Sequence, residues 1–470
     1  MKIFLSTLVI TILFFCNAFA QKLNTQSSLE KAIQQSVKKD KPIILIVSVP
    51  NMNVPQTTSN GTKINFTSAI DEAEVIDRIN QNFIAYKTIM NDTSIRSILS
   101  KSAINSFPAY IFLRSNKEVF FKDYGNSTSK QRYFYMIDNA LKALKEKPIS
   151  ELEREYLANK SDIQLLKNLI DTRKKLGQNN NAELIEEYVK SLKIDDFNNY
   201  QTVLYILEAG PHTDGNAFKF AYTNRKLIDS IYRMEPFAKR STFNNFMINN
   251  TMNDAIKAKN IAKAQSAASF TRGTWSNDYI KGSKAYDSQM MRYYLAVKDT
   301  ARYLQTATYH YDSYYMRIGA DSIKKMEAAE LKAMERRGLP ATLNQNIVSK
   351  EKMDSLMKAK GANIITQSVV TVGPTSSSYA NELNNAAYKF YETGTKNINH
   401  LTKAMIWSRR SIELHPISAY YDTLAHILYR LEYYEEAIKN QQLAIEKSKA
   451  ENRDTKHLQD ELKKMKARQI

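Results

Sequence analysis

The chain offers few residues from which chemistry could start. It contains one cysteine, Cys16, and six histidines. Cys16 falls inside MKIFLSTLVITILFFCNAFA, which reads as a leader to be removed, so the remaining chain should carry no thiol. Without a thiol it can neither exchange disulfides nor ligate a metal through sulfur. His310 stands two residues from Asp312 with no third partner visible, and His212 sits in the turn-like GPHTDG. Neither spacing makes a metal or catalytic set. Phosphate loops, His-Glu-x-x-His, Gly-x-Ser-x-Gly and paired catalytic acids are not found at any usable spacing. The expectation is therefore no catalytic residue, no metal, no cofactor and no enzymatic activity. The tyrosine-dense block 293–315 can be read as an aromatic platform for sugars or peptides, or as core packing with hydroxyls reaching the surface. Helical spacing favours packing.

The net charge is +19, one less without Lys2. Such a balance suits acidic partners, and a peripheral contact with acidic envelope surfaces fits it. Yet Lys and Arg are interspersed with acids in KALKEKPISELERE and KSKAENRDTKHLQDELKKMKAR, the pattern of solvated helix faces. Nucleic acid is not an expected partner. Residues 1–20 have one lysine, an apolar run from Ile3 to Phe15, and Ala18 and Ala20 before Gln21, the pattern of a secretory signal peptide. Phe15 stands where lipidation at Cys16 would need a small residue. The expectation is an exported protein, of the periplasm or cell envelope or else secreted, with no later apolar run long enough to span a membrane.

The elements that would position any site divide the chain in two. From about 26 to 147, helical and β-branched segments alternate. SSLEKAIQQSVKKD opens with Ser27 and Glu30 at capping-box spacing, and KPIILIVSV reads as a buried strand. Helix AIDEAEVIDRINQ, strand FIAYKTIM and helix SIRSILSKSAI follow. Strands AYIFL and EVFFKDYG, joined by SNK, then lead into the closing helix SKQRYFYMIDNALKALKEK. This order predicts a mixed α/β sheet covered on both faces.

Two segments carry a specific likeness. VIDRINQNFIAYK resembles the helix, Asn-x-x-Phe, strand segment of exported thioredoxin-fold proteins, and INSFPAYIFL is similar to their cis-proline loop. The resemblance implies a thioredoxin-like domain with Phe107–Pro108 as the cis pair, the bond type that best tolerates cis. A strand that merely begins at a trans Pro108 is the alternative. Laid without gaps on KPIILIVSVPNMNVP, the family's Trp-Cys-x-x-Cys places Asn51 at the tryptophan and Met52 and Pro55 at the cysteines. A thioether and a proline offer no thiolate, so thiol–disulfide oxidoreductase activity is not carried over. What the resemblance leaves is a surface: Met52, Phe107 and Pro108 as an apolar shelf beside backbone groups able to pair with an extended peptide. Packing of the same residues under the 50–66 loop or against helices is the competing expectation.

Beyond Pro148 apolar residues recur at helical spacing. AYYDTLAHILYRLEYYEEAIKNQQLAIEKS resembles a tetratricopeptide repeat in Leu424, Ala425, Leu428, Tyr434, Ala437 and Ala444, with Glu432 at the usual turn glycine and Gln441 at a usual aromatic. LNNAAYKFY and LTKAMIWSRRSIELHP fit a preceding pair. Residues 148–368 read as degenerate helical repeats, VVTVGPTSSS at 369–378 as a linker, and 379–470 as a repeat pair with a C-terminal helix. The whole reads as a protein- or peptide-binding adaptor using the concave face of a helical solenoid. The alternative is a redox-independent chaperone or isomerase-like envelope protein for unfolded clients.

Overall fold

A computed structural model describes residues 22–50, 56–57, 63–64, 68–104, 106–275, 277–336, 375–451 and 453–469. The expected signal peptide and the corner residues Asn51, Met52 and Pro55 lie outside these. By density of contact the described chain divides between Gln178 and Asn179, and each part has cores of its own.

The first unit is a mixed sheet with helices. Helix α1 (Leu29–Lys39) is capped by Ser28, whose Oγ accepts from the Lys31 N–H at 3.2 Å, one residue later than the expected Ser27. That places Glu30 in the first turn, where a carboxylate favours the helix dipole. Strands β1 (Thr25–Gln26), β2 (Ile43–Ser48), β3 (Gln56–Thr57), β4 (Lys63–Ile64), β5 (Ile84–Ile89), β6 (Ala109–Leu113) and β7 (Val119–Tyr124) follow in chain order. The five-stranded sheet runs β1-β5-β2-β6-β7, and β3 pairs with β4 apart from it. Strand β2 is parallel to β5 and antiparallel to β6, which forms a hairpin with β7.

The unbroken apolar run of β2 follows from burial on both faces. Ile44 and Ile46 meet α2 (Ala73–Asn82) and α4 (Lys130–Leu144) through Val75, Ile79, Met136 and Ile137. Ile43, Leu45 and Val47 face α1 and the helix α3 (Arg96–Lys101) through Leu29, Ala32 and Ile98. Helices α5 (Ile149–Ala158) and α6 (Ile163–Lys175) group with this unit.

The second unit is helical wherever a regular element is described. Helices α7 (Ala182–Lys190), α8 (Tyr200–Glu208), α9 (Asn216–Ala221) and α10 (Arg225–Met234) precede α11 (Phe237–Ala258), α12 (Ile261–Gly273), α13 (Tyr279–Ala296) and α14 (Thr300–Tyr311). A π-helical turn, Asp312–Met316, leads to α15 (Ala320–Arg336). After the gap come α16 (Thr375–Glu392), α17 (Ile398–Leu414), α18 (Ser418–Arg430), α19 (Tyr434–Ala450) and α20 (Lys456–Lys466). Of the expected linker 369–378, residues up to 374 lie outside the description and Thr375–Ser378 form the first turn of α16. From α11 onward each helix packs chiefly on its chain neighbours, α11 on α12, α12 on α13, α16 on α17 and α18 on α19. Small residues at the contacts, Ala264, Ala267 and Ala268 in α12 and Ala386, Ala387 and Ala404 in α16 and α17, let the backbones approach.

Candidate functional site

Sheet pairing brings two of the expected shelf residues, Phe107 and Pro108, to one end of the first unit. The parallel strands β2 and β5 finish side by side, Ser48 opposite Ile89, and the Met90 N–H donates to the Ser48 carbonyl at 2.9 Å. Strand β6 begins there too, with Ala109 opposite Val47, so Phe107–Pro108 lies beside the end of β2. The Phe107–Pro108 bond is cis. Pro108 is buried, and its carbonyl accepts from the Gly125 N–H at 2.9 Å. Phe107 is half-buried against the α1/α3 core, where Leu99 and Tyr124 also pack. Its own N–H and C=O have no backbone hydrogen-bond partner among the described residues. At the same end of the sheet, but on the far side of β2, Ile89 and Met90 lie at the close of β5 and are 44% and 40% exposed, so this end presents apolar side chains to solvent.

The groups under this end are polar but inert. The Asp92 carboxylate accepts from Tyr86 Oη and Thr88 Oγ1, both at 2.7 Å, and from the Ser94 N–H at 2.8 Å. The Thr88 and Tyr86 hydroxyls hold its pKa well below the usual carboxylate range. Tyr133 Oη lies 2.7 Å from Ser68 Oγ and 3.3 Å from Tyr110 Oη, which donates to Asn126 Oδ1 at 2.9 Å. Burial raises the Tyr110 pKa, so the phenol stays a neutral donor. The Arg132 guanidinium lies over both rings, 5.5 Å from Tyr110 and 5.1 Å from Tyr133. This end of the sheet offers backbone and apolar surface.

The tyrosine-dense block goes mainly to packing. Tyr303 is 4% exposed and joins Leu304, Phe390 and Trp407 in one core. His310 and Asp312, two residues apart in sequence, part company. His310, 3% exposed, sets Nδ1 3.3 Å from Asp287 Oδ2 of α13. Asp312 accepts from Trp407 Nε1 at 2.9 Å and Lys403 Nζ at 2.6 Å, both on α17. Lys284, which drew no attention in the sequence, places its ammonium 4.4, 5.6 and 5.5 Å from the ring centres of Tyr315, Tyr314 and Tyr379. Its spacing of three from Asp287, on one helical face amid tyrosines, was the available signal.

The GPHTDG loop is held by its neighbours. Lys263 Nζ of α12 lies 3.3 Å from His212 Nδ1, 3.4 Å from Asp214 Oδ1 and 2.9 Å from Asp254 Oδ2. Burial, then the nearby Lys263, lowers the His212 pKa, leaving a neutral imidazole. Thr213 N–H donates to Thr251 Oγ1 at 2.8 Å, and Glu186 caps the first N–H groups of α9 through Asn216 and Ala217. These bonds fasten the loop to α7, α11 and α12. Among the described residues no group of His, Cys, Asp or Glu could hold a metal, and no helix is long and apolar enough to cross a membrane. Gln441, at the usual aromatic position, is fully buried and its Nε2 donates to Asp422 Oδ1 at 2.8 Å and the Leu458 carbonyl at 3.2 Å.

No family model matches the chain, and no curated protein matches it.

Proposed function

We propose that this chain is an exported, non-enzymatic adaptor that binds proteins or extended peptides, built from a redox-inactive thioredoxin-like domain and tetratricopeptide-like helical repeats. Phe107 carries the reading. Its N–H and C=O are unpaired within the described backbone, next to a cis proline and at a sheet end flanked by exposed Ile89 and Met90. An extended segment can add there by main-chain hydrogen bonds, with apolar side chains meeting the shelf, and this mode needs no thiol. Helices that pack on their chain neighbours add support, because stacked repeats present long faces suited to protein recognition. The exposed apolar end also favours a second reading, a redox-independent chaperone that holds unfolded clients.

Fluorescence anisotropy of the chain from Gln21 onward, titrated with a labelled polypeptide that cannot fold, tests the site. Saturable binding weakened about tenfold or more by Phe107→Asp supports it. Binding that ignores Phe107→Asp, or measurable disulfide reduction by the same preparation, overturns it. Suppression of a client's aggregation at substoichiometric binding would select the chaperone reading over the adaptor.

A further inference from the structure

A cleft of about 370 Å³ opens between the β6–β7 hairpin, the end of α4, and helices α5 and α6. Arg114, the residue after β6, lines it, so the cleft lies at the end of that strand away from Phe107. Its charges do not balance. Arg114, Lys122, Lys142, Lys147 and Lys175 face only two carboxylates, Glu118 and Glu146.

Both carboxylates are already engaged. Glu118 closes the N-terminus of α5, accepting from the Ile149 N–H at 2.7 Å and from Ser150 Oγ at 2.5 Å. Glu146 pairs with Lys175 at 3.3 Å, and Lys147 turns to Glu155 at 2.7 Å. Arg114, Lys122 and Lys142 have no carboxylate partner among the described residues. Arg114 spends Nη2 on the Leu144 and Glu146 carbonyls, at 3.0 and 2.9 Å, and its buried Nε has no hydrogen-bond partner among the described residues. Lys122 Nζ donates to the Ser102 carbonyl at 2.7 Å, and burial lowers its pKa. Arg114 and Lys122 are partly withdrawn from water without a counter-charge, which is costly, and a cleft lined by one sign concentrates the opposite ion. Val119, Phe121 and Leu176 supply an apolar wall beside them. The volume falls toward the lower end of the roughly 300–1,000 Å³ of small-molecule sites.

We propose that this cleft binds a small amphipathic anion, its carboxylate or phosphate head met by Arg114, Lys122 and Lys142 and its short apolar body lying on Val119, Phe121 and Leu176. Excess positive charge alone would attract any anion, and the apolar wall alone any oil. The combination selects a molecule with both parts.

Isothermal titration of the full chain with decanoate and with decyl phosphate, each below its micelle concentration, tests this, with decanol, acetate and inorganic phosphate as comparisons. The expected result is one site per chain for the anionic amphiphiles, weakened about tenfold or more by Lys142→Glu and by Lys122→Met. The head that binds more tightly assigns the source, carboxylate or phosphomonoester. Decanol binding as well as the anions, or acetate and inorganic phosphate binding as well as the amphiphiles, overturns the proposal. So does unchanged affinity in Lys142→Glu. That substitution is at an exposed position and should fold as the parent does, which keeps the test decisive if Lys122→Met disrupts packing.

Discussion

Asp92 shows how a single carboxylate is held in one protonation state. Three donors converge on it, and its folded pKa is depressed below the unfolded value. A depressed carboxyl contributes stability that is complete above the unfolded pKa, near about 4, and fades as pH falls through the folded value. Solvent reaches Asp92 and screens much of this interaction, so Asp92→Ala should cost about 1 kcal/mol near pH 7, and the gap to the parent should narrow by about pH 3. Urea unfolding at the two pH values measures it, and a gap that stayed constant would contradict the assignment. Glu432 is the opposite case, a residue in a place that suits another. Its φ of +67° lies in the left-handed region, at the turn where the repeat pattern usually has glycine. A side chain there costs about 1 kcal/mol that glycine would not. Glu432→Gly should raise the unfolding midpoint by that much less glycine's extra unfolded-state entropy, so a gain of about 0.5 kcal/mol is expected.

The π-helical turn is the clearest case of an element kept in place by its contacts. Asp312 ties its start to α17 through Trp407 and Lys403, and Lys284 of α13 lies among Tyr314, Tyr315 and Tyr379. Removing the shared acceptor leaves an indole N–H and an ammonium without it, so Asp312→Ala should destabilise by about 1–3 kcal/mol and alter the near-ultraviolet dichroism of Trp407. Unchanged aromatic dichroism would show that the turn does not depend on this anchor. Helical spacing foretold packing for the tyrosine-dense block, and Tyr303 is buried. It could not foretell that His310 would choose Asp287 over its neighbour Asp312, because that choice depends on how α13 and α14 lie against each other. The two faces of β2 were legible for a simpler reason, since a run without polar residues has to be covered on both sides. The helix start one residue past Ser27 marks the limit of local reading: Ser27 and Ser28 offer the same hydroxyl, and packing of Leu29 decides between them. Gln441 marks another. Its place at a usual aromatic position gave no sign that its Nε2 would donate to Asp422 on α18 and to the Leu458 carbonyl. Phe107 was found from its place before a proline. Lys122 and Arg114 were missed because their lack of counter-charge exists only once Glu118 and Glu146 have been taken by others.

Each unit has apolar cores of its own, which makes separate unfolding a testable expectation. The first unit is built on Ile44, Phe112 and Tyr133 on one face of the sheet and on Leu45 and Ile111 on the other. The second is built on Phe390 and Trp407 in one cluster and on Met252 and Ala267 in another. Both tryptophans of the chain, Trp275 and Trp407, belong to the second unit, so indole fluorescence reports on it alone while far-ultraviolet dichroism reports on both. Trp407 is fully buried and its indole N–H is bonded to Asp312, which gives the signal a large change on unfolding. Phe112→Ala removes a fully buried ring and should cost the first unit about 3–5 kcal/mol. If the units unfold independently, dichroism will show an early phase in this variant while the fluorescence midpoint stays where it is in the parent. If the two are one cooperative body, both midpoints will move together by the same amount. That second outcome would mean that the helical unit depends on the sheet for its stability.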